Sequence, residues 1–441
     1  MSALLLAGFV LGYTLIAFEH PLKIDKAASA LLTGVFCWLV LLWGFEQMPA
    51  FEANFRQLDV HQTLNKDLFD QLGEISGILF FLLGAMTIVE LVDAHDGFHP
   101  VTSRISTTHR VKLLWVISWV AFFLSALLDN MTTAIIMCAL IRRIVKKNEN
   151  AWLMGGFVII GANAGGAWSP IGDVTTIMLW IGGQVTPLAI MQTLFLPSVM
   201  SLLAPLLLAT YFFRGKNETL HPITSDKKVH YQTTALEQNT MFALGALGLL
   251  FVPVFKAVTH YPPYMGMLFS VGLLWFFTEF MHRKKTVETK KGFSVAAMLH
   301  RIDTPSILFF LGILLAVGAL NTSGHLRQVA EGLNQHLGGN SYSINTLIGL
   351  LSAIVDNVPL VAAAMGMYSM TEFPANHDFW NLLAYCAGTG GSILIIGSAA
   401  GVASMSILKI DFIWYLKRIS GYAFVGYLAG IGIYYLTHSF F

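Results

Sequence analysis

The sequence predicts an all-α polytopic membrane protein made of two inverted repeats, each with a re-entrant helical hairpin and a broken transmembrane helix. Three observations lead there. Of 441 residues, 55% are hydrophobic and 12% charged, and mean hydropathy is +0.66. A soluble domain carries about 25% charged residues. The apolar residues come in runs long enough to cross a bilayer, roughly 17–25 residues each, and too continuous for barrel strands of about 10 residues. Finally, Asp-Asn stands twice inside such a run, each time after Ser-Ala: SALLDN at 125–130 and SAIVDN at 352–357. A carboxylate at membrane depth is costly and rare unless it carries an ion, a proton or a partner charge.

Taken in order, the apolar runs are 2–18, 27–47, 74–93, 113–145, 151–183, 187–213, 239–258, 263–281, 304–321, 342–370, 379–408 and 413–437. The first lacks a basic leading region and a cleavage site, so it reads as a retained span rather than a signal peptide. Runs 113–145 and 342–370 are interrupted by Asp-Asn, and runs 151–183 and 379–408 by glycines.

Basic residues orient the runs, because cytoplasmic loops are enriched in Lys and Arg. Clusters at 23–26, 104–112, 142–147, 214–228, 283–301 and 409–418 hold 22 of the 26. Both ends of 113–145 then face the cytoplasm, which makes it a hairpin with Asp129-Asn130 near its tip. The flanks of 342–370, residues 322–341 and 371–378, contain only Arg327. That hairpin dips in from the other side, with Asp356-Asn357 at its tip.

A duplication is visible independently. ILFFL stands at 78–82 and 307–311, Asp-Asn at 129 and 356, and Gly-Gly with a later Gly at 165/166/172 and 390/391/397, with offsets of 229, 227 and 225. Residues 1–73 read as N-terminal scaffold helices and an outer loop, and 74–213 as the first repeat. Residues 214–302 read as a cytoplasmic loop with scaffold helices, and 303–441 as the second repeat.

Each repeat is expected to bring a hairpin tip beside a glycine break, GANAGGAWSPIGD (161–173) or AGTGGSILIIGSAAG (387–401). Non-helical backbone at membrane depth is tolerated only where it is buried in protein or lines a wet cavity. Unwound carbonyls and half-helix ends coordinate cations there, while a carboxylate supplies charge. Asp129, Asn130, Asp356 and Asn357 are therefore the expected sodium ligands. Asp173 follows the first break, and its counterpart by the glycine marks is Ser398. Asn163, Thr132, Thr133, Ser169, Thr175, Thr389, Ser392 and Ser398 are candidates to complete the shell, with Ser125, Thr176 and Ser352 beside them. Such hydroxyls also bond to their own helix, Asp and Asn are good N-caps, and glycines serve close helix packing. Glu90, Asp93, His95 and His99 end the run 74–93 and form a candidate pH-sensing cluster, or a solvated membrane-edge cluster. Cys37, Cys138 and Cys386 read as packing residues. No P-loop, zinc signature, GxSxG elbow or haem motif occurs, so an enzymatic reading has no residues to rest on. The near-zero net charge argues against a nucleic-acid partner.

These features resemble the NhaD family of sodium/proton antiporters within the ion transporter superfamily. The resemblance is carried by SALLDNMTTAIIM (125–137), GANAGGAWSPIGDVTT (161–176), SAIVDNVPLVAAAM (352–365) and GTGGSILIIGSAAG (388–401). It implies a homodimer in a lipid bilayer, an elevator-like movement against a dimeric scaffold, and no cofactor beyond the transported Na⁺ or Li⁺ and H⁺. Related dicarboxylate carriers have Ser-Asn-Thr at the tips, where this chain has Asp-Asn-Met and Asp-Asn-Val. Two added carboxylates repel an anion and attract a cation. The expectation is Na⁺(Li⁺)/H⁺ exchange in a bacterial inner membrane, with a plastid envelope as the other home. Arsenite export, sodium-coupled organic-anion uptake and a cation channel are the alternatives.

Overall fold

The computed structural model describes residues 1–17, 19–50, 60–99, 107, 109–145, 149–213, 233–283, 293–354 and 356–439. The basic stretch 214–228 and residues 284–291 of the next one lie outside them. The described elements are helical. Seven helices are long and apolar enough to cross a membrane, or eight if one bent pair is counted as a span. The protein is thus a multi-pass helical membrane protein.

Helices α1 (Ser2–Ala17) and α2 (Lys26–Gly44) precede the long α3 (Val60–Ala94). The first half continues with α4 (Arg110–Leu127), α5 (Asn130–Ile144), α6 (Glu149–Ala167), α7 (Val174–Ile181) and α8 (Pro187–Phe212). Helices α9 (Ala235–Thr259) and α10 (Pro263–Met281) lead to the second half. That half comprises α11 (Thr304–Thr322), α12 (His325–Leu337), α13 (Ser341–Leu351), α14 (Asn357–Met367), α15 (Asp378–Gly390), α16 (Ala399–Leu408), α17 (Phe412–Arg418) and α18 (Ser420–Ser439).

The same contacts recur in both halves. Helix α4 packs on α6, and α13 on α15. A Cβ at Gly165 would run into the Phe122 carbonyl, and one at Gly390 into the Gly349 carbonyl. Ser125 Oγ donates to the Ala162 carbonyl at 2.6 Å, and Ser352 Oγ to the Ala387 carbonyl at 2.8 Å. These glycines let two backbones touch, which is the use of small residues between apolar helices. The halves also exchange arms: α5 packs on α16, and α14 on α7. Outside this core, α1 packs on α2 and α2 on α11, while α9 and α10 pack with α3. Gly312 makes the contact of α2 with α11 possible, since a Cβ there would enter the Ala30–Leu31 backbone. All three cysteines are buried and free.

Several expectations shift. Residues 60–73, expected in the outer loop, are the first turns of α3. Their charged side chains hide a helix from a search for apolar runs. Helix α12 was expected as loop; it is amphipathic and buries only His325, Leu326 and Ala330. The expected run 413–437 is split into α17 and α18, and α17 is bent by 116° from α16. The glycines of 161–166 lie inside α6, so the first break is confined to 168–173. The arms α13 and α14 have 11 residues each, about 17 Å of helix against a hydrocarbon core of about 30 Å. Helix α4, at 18 residues, is long enough to span by itself.

Replacing Gly390 by alanine drives a methyl into the Gly349 carbonyl and separates α13 from α15. The expected cost is about 1–3 kcal/mol, as for overpacking in a tight core. Thermal unfolding in detergent micelles reads it as a lowered Tm; Gly432→Ala, where a Cβ meets open space, leaves Tm in place.

Candidate functional site

Four short helices begin at the middle of the molecule, and a polar residue caps each one. Asp129 caps α5, Asp173 caps α7, Asp356 caps α14 and Ser398 caps α16. An N-cap leaves the helical backbone and accepts from the free amides of the first turn. The positive end of the helix dipole favours a carboxylate there. Asp129 Oδ1 accepts from Thr132 N at 2.7 Å and its Oδ2 from Thr132 Oγ1 at 2.6 Å. Asp173 Oδ1 accepts from both Thr175 N and Thr175 Oγ1 at 3.0 Å, and Thr176 Oγ1 donates to the Asp173 carbonyl at 2.8 Å. Asp356 Oδ1 accepts from Val358 N at 3.2 Å. Ser398 Oγ accepts from Gly401 N at 3.2 Å.

Amides join these caps across the two halves. Asn130 Nδ2 donates to Asp173 Oδ2 at 2.7 Å and to Asn163 Oδ1 at 3.1 Å. Asn357 Nδ2 lies 3.4 Å from both Asp173 oxygens. Asn163 Nδ2 donates to Ser392 Oγ and Ser398 Oγ, each at 2.9 Å. Asp173 is 1% exposed and Asn163 fully buried. The network therefore runs from the second tip through Asp173 and the first tip to the second break.

A cavity of about 390 Å³ opens beside it. Seven acidic side chains line it: Glu90, Asp93, Asp96, Asp129, Asp173, Asp303 and Asp356. The basic lining residues are Lys26 and Arg301, with His99 beside them. A cleft with one dominant sign and low-dielectric walls concentrates counter-ions. Among the described residues no group of three or more His, Cys, Asp or Glu side chains is close enough to hold a metal ion. A cation here would take oxygens from carboxylates, amides, hydroxyls and carbonyls, the donors that hard cations prefer.

Several candidates have other partners. Ser169 Oγ donates to the Ala126 carbonyl at 2.5 Å, and Thr389 Oγ1 to the Tyr385 carbonyl at 2.6 Å. Ser125 and Ser352 likewise serve backbone carbonyls. Thr133 is buried with its hydroxyl unpartnered, one turn into α5. Of the expected pH-sensing cluster, Glu90, Asp93 and His99 line the cavity. His95 does not sit at a solvated edge. It is fully buried, with Nδ1 at 2.6 Å from the Leu91 carbonyl and Nε2 at 2.7 Å from His282 Nε2.

Lys26 is the residue that sequence reasoning missed. Its Nζ stands 3.7 Å from Asp356 Oδ2 and 4.6 Å above the Phe309 ring. The sequence shows it only as one of two lysines before the second apolar run, and no local period points it at a tip 330 residues away.

Asn163→Ala leaves the Ser392 and Ser398 hydroxyls without their amide donor in a dry place. A buried polar group that loses its partner costs about 1–3 kcal/mol, so Tm in detergent drops. Ser392→Ala keeps the Ser398 bond and costs less.

Comparison with known proteins follows the same lines. The family described as citrate transporter matches residues 13–388. Sodium/proton antiporter 1 of Arabidopsis thaliana is 48% identical over 433 residues, covering 98% of this chain and 72% of the relative. Sodium/proton antiporter 2 of the same plant is 43% identical, covering 98% and 99%. The Na⁺/H⁺ antiporter NhaD of Vibrio cholerae is 31% identical over 459 residues, covering 98% and 90%. Paired Asp-Asn tips, glycine breaks and these likenesses along nearly the whole chain agree: it belongs to the NhaD family of membrane transporters, within the wider family described as citrate transporter.

Proposed function

We propose that the protein is a secondary active Na⁺(Li⁺)/H⁺ antiporter that exports cytoplasmic Na⁺ in exchange for protons by elevator-type alternating access. The observation that carries this reading is the placement of Asp129, Asp173 and Asp356 at the positive ends of three half-helices around one acidic cavity. Helix N-termini that converge in this way suit an anion, which fits the description of the wider family. Here three of the four ends already hold a fixed carboxylate. An incoming carboxylate or oxyanion meets repulsion, and a cation meets compensation. The names of the Arabidopsis and Vibrio relatives point the same way.

Coupling follows from shared sites. A carboxylate in a low-dielectric place is best neutralised, either by a proton or by a metal cation. One group serving both ligands ties their fluxes together. At high cytoplasmic pH the carboxylates are bare and take Na⁺; on the proton-rich side protons displace it. Bare carboxylates are costly to carry across hydrocarbon, so the loaded forms move and the unloaded form stays.

The inverted arrangement is supported by the exchange of arms between halves, by the basic-residue map and by the short arms α13 and α14. In this reading α4–α5 and α13–α14 are re-entrant hairpins that move with the broken helices. The blocks α1–α2–α11 and α9–α10–α3 form the scaffold, which by family resemblance makes a homodimer. The basic-loop bias fits a bacterial inner membrane. Likeness to both plant and bacterial relatives keeps a plastid envelope beside it.

The test is Na⁺-induced dequenching of a pH dye in proteoliposomes at clamped voltage, over neutral to alkaline pH, with arsenite and succinate as controls. Dequenching by Na⁺ or Li⁺ is expected; a response to arsenite or succinate alone would falsify the cation assignment. Asp129→Asn, Asp173→Asn and Asp356→Asn each abolish exchange while the protein still melts cooperatively. The pH dependence has a definite sign. Protons compete for the same carboxylates, so the apparent KM for Na⁺ rises as pH falls, by about ten-fold per pH unit for each competing proton. A KM flat across that range excludes competition.

A further inference from the structure

We infer that Lys26 is an internal counter-ion of Asp356, which competes with the transported cation and ties the second hairpin tip to the scaffold until that cation arrives. The inference rests on the antiport reading and assigns one further residue to it.

The two tips are alike in sequence but not in how their carboxylates are held. At the first, Asp129 is followed three residues on by Thr132, whose amide and hydroxyl occupy both carboxylate oxygens. At the second, the residue three after Asp356 is Pro359, which has neither an amide hydrogen nor a hydroxyl. Asp356 Oδ1 finds the Val358 amide. Its Oδ2 faces the Lys26 ammonium at 3.7 Å. Among the described residues no such ion pair holds Asp129.

Lys26 is fixed from the scaffold side. It is the first residue of α2, whose cap Asp25 accepts from the Ala27 amide at 2.8 Å. Its ammonium lies over the ring of Phe309 on α11, a contact that orients a cation. Helices α2 and α11 pack closely along their length. Asp356 begins α14, the arm assigned to the moving part. The pair is 25% and 19% exposed and lines the cavity that also holds Asp129 and Asp173. Partly exposed pairs are weak, so a cation arriving from the cavity can take the carboxylate and free the arm. A lysine in this place thus raises the Na⁺ concentration needed to load the site and holds the unloaded tip to the scaffold.

The experiment compares full-length variants reconstituted in proteoliposomes. Absence of Na⁺-driven proton flux in the wild type removes the antiport reading itself. Given wild-type exchange, Lys26→Gln lowers the apparent KM for Na⁺ by about three- to five-fold, the range for a partly screened pair. Lys26→Arg returns KM most of the way. Lys23→Gln, which removes the same charge from an exposed neighbouring position, leaves KM in place. Phe309→Leu keeps Lys26 but removes the ring beneath it, and shifts KM the same way by a smaller factor; it serves also if Lys26→Gln does not fold. A Lys26→Gln protein with lower maximal rate and unchanged KM marks a structural role and overturns the inference. An equal shift in Lys23→Gln overturns it too, because the effect is then diffuse surface charge.

Discussion

Everything at the centre of this molecule depends on fitting carboxylates into a dry interior without stranding them. The solution is the free end of a helix. Asp129, Asp173 and Asp356 each sit where first-turn amides lack helical partners, so each satisfies donors that would otherwise be buried and unpaired. The cost of the charge and the cost of the broken helix offset one another. This explains why the aspartates and the breaks occur together. Capping and ion handling are not rival accounts of these residues, since the cap is what lets the charge reside there.

The second constraint is that neither half is complete by itself. Helix α5 lies against α16 and α14 against α7, and the polar network alternates between halves. Asn130 and Asn357 begin helices of different halves yet both reach Asp173. Asn163 of the first half donates to two serines of the second. Movement that preserves these bonds has to carry α5, α6, α7 and α14 together with the segment between α15 and α16. Helix α14 also packs on α11.

Much of the site was legible because polar residues inside apolar runs have few innocent explanations. Asp129, Asn130, Asn163, Asp173 and Asn357 were singled out in that way; hydrogen bonds join the last four, and Asp129 is held by Thr132. Ser392 and Ser398 were marked as candidate ion ligands by the same argument; their hydroxyls accept from Asn163, a pairing that needs the third dimension. What stayed hidden was polar sequence doing structural work. Residues 60–73 and helix α12 carry charges at helical spacing, which hydropathy averages into a loop. Long-range pairs leave no local signal: His95 meets His282 across 187 positions, and Lys26 reaches Asp356 from the far end of the chain.

The bond from Asn163 to Ser392 and Ser398 has a consequence for how the chain is made. Its two ends are about 230 residues apart in sequence. At about 5–20 residues per second of synthesis, the first half waits on the order of 10–50 s for its partners. During that interval the first tip and the first break are in place without the half-helix that completes them. A ribosome stalled between α12 and α15 would leave the Asn163 Nδ2 donor without Ser392 and Ser398, a buried polar group waiting on the rest of the chain.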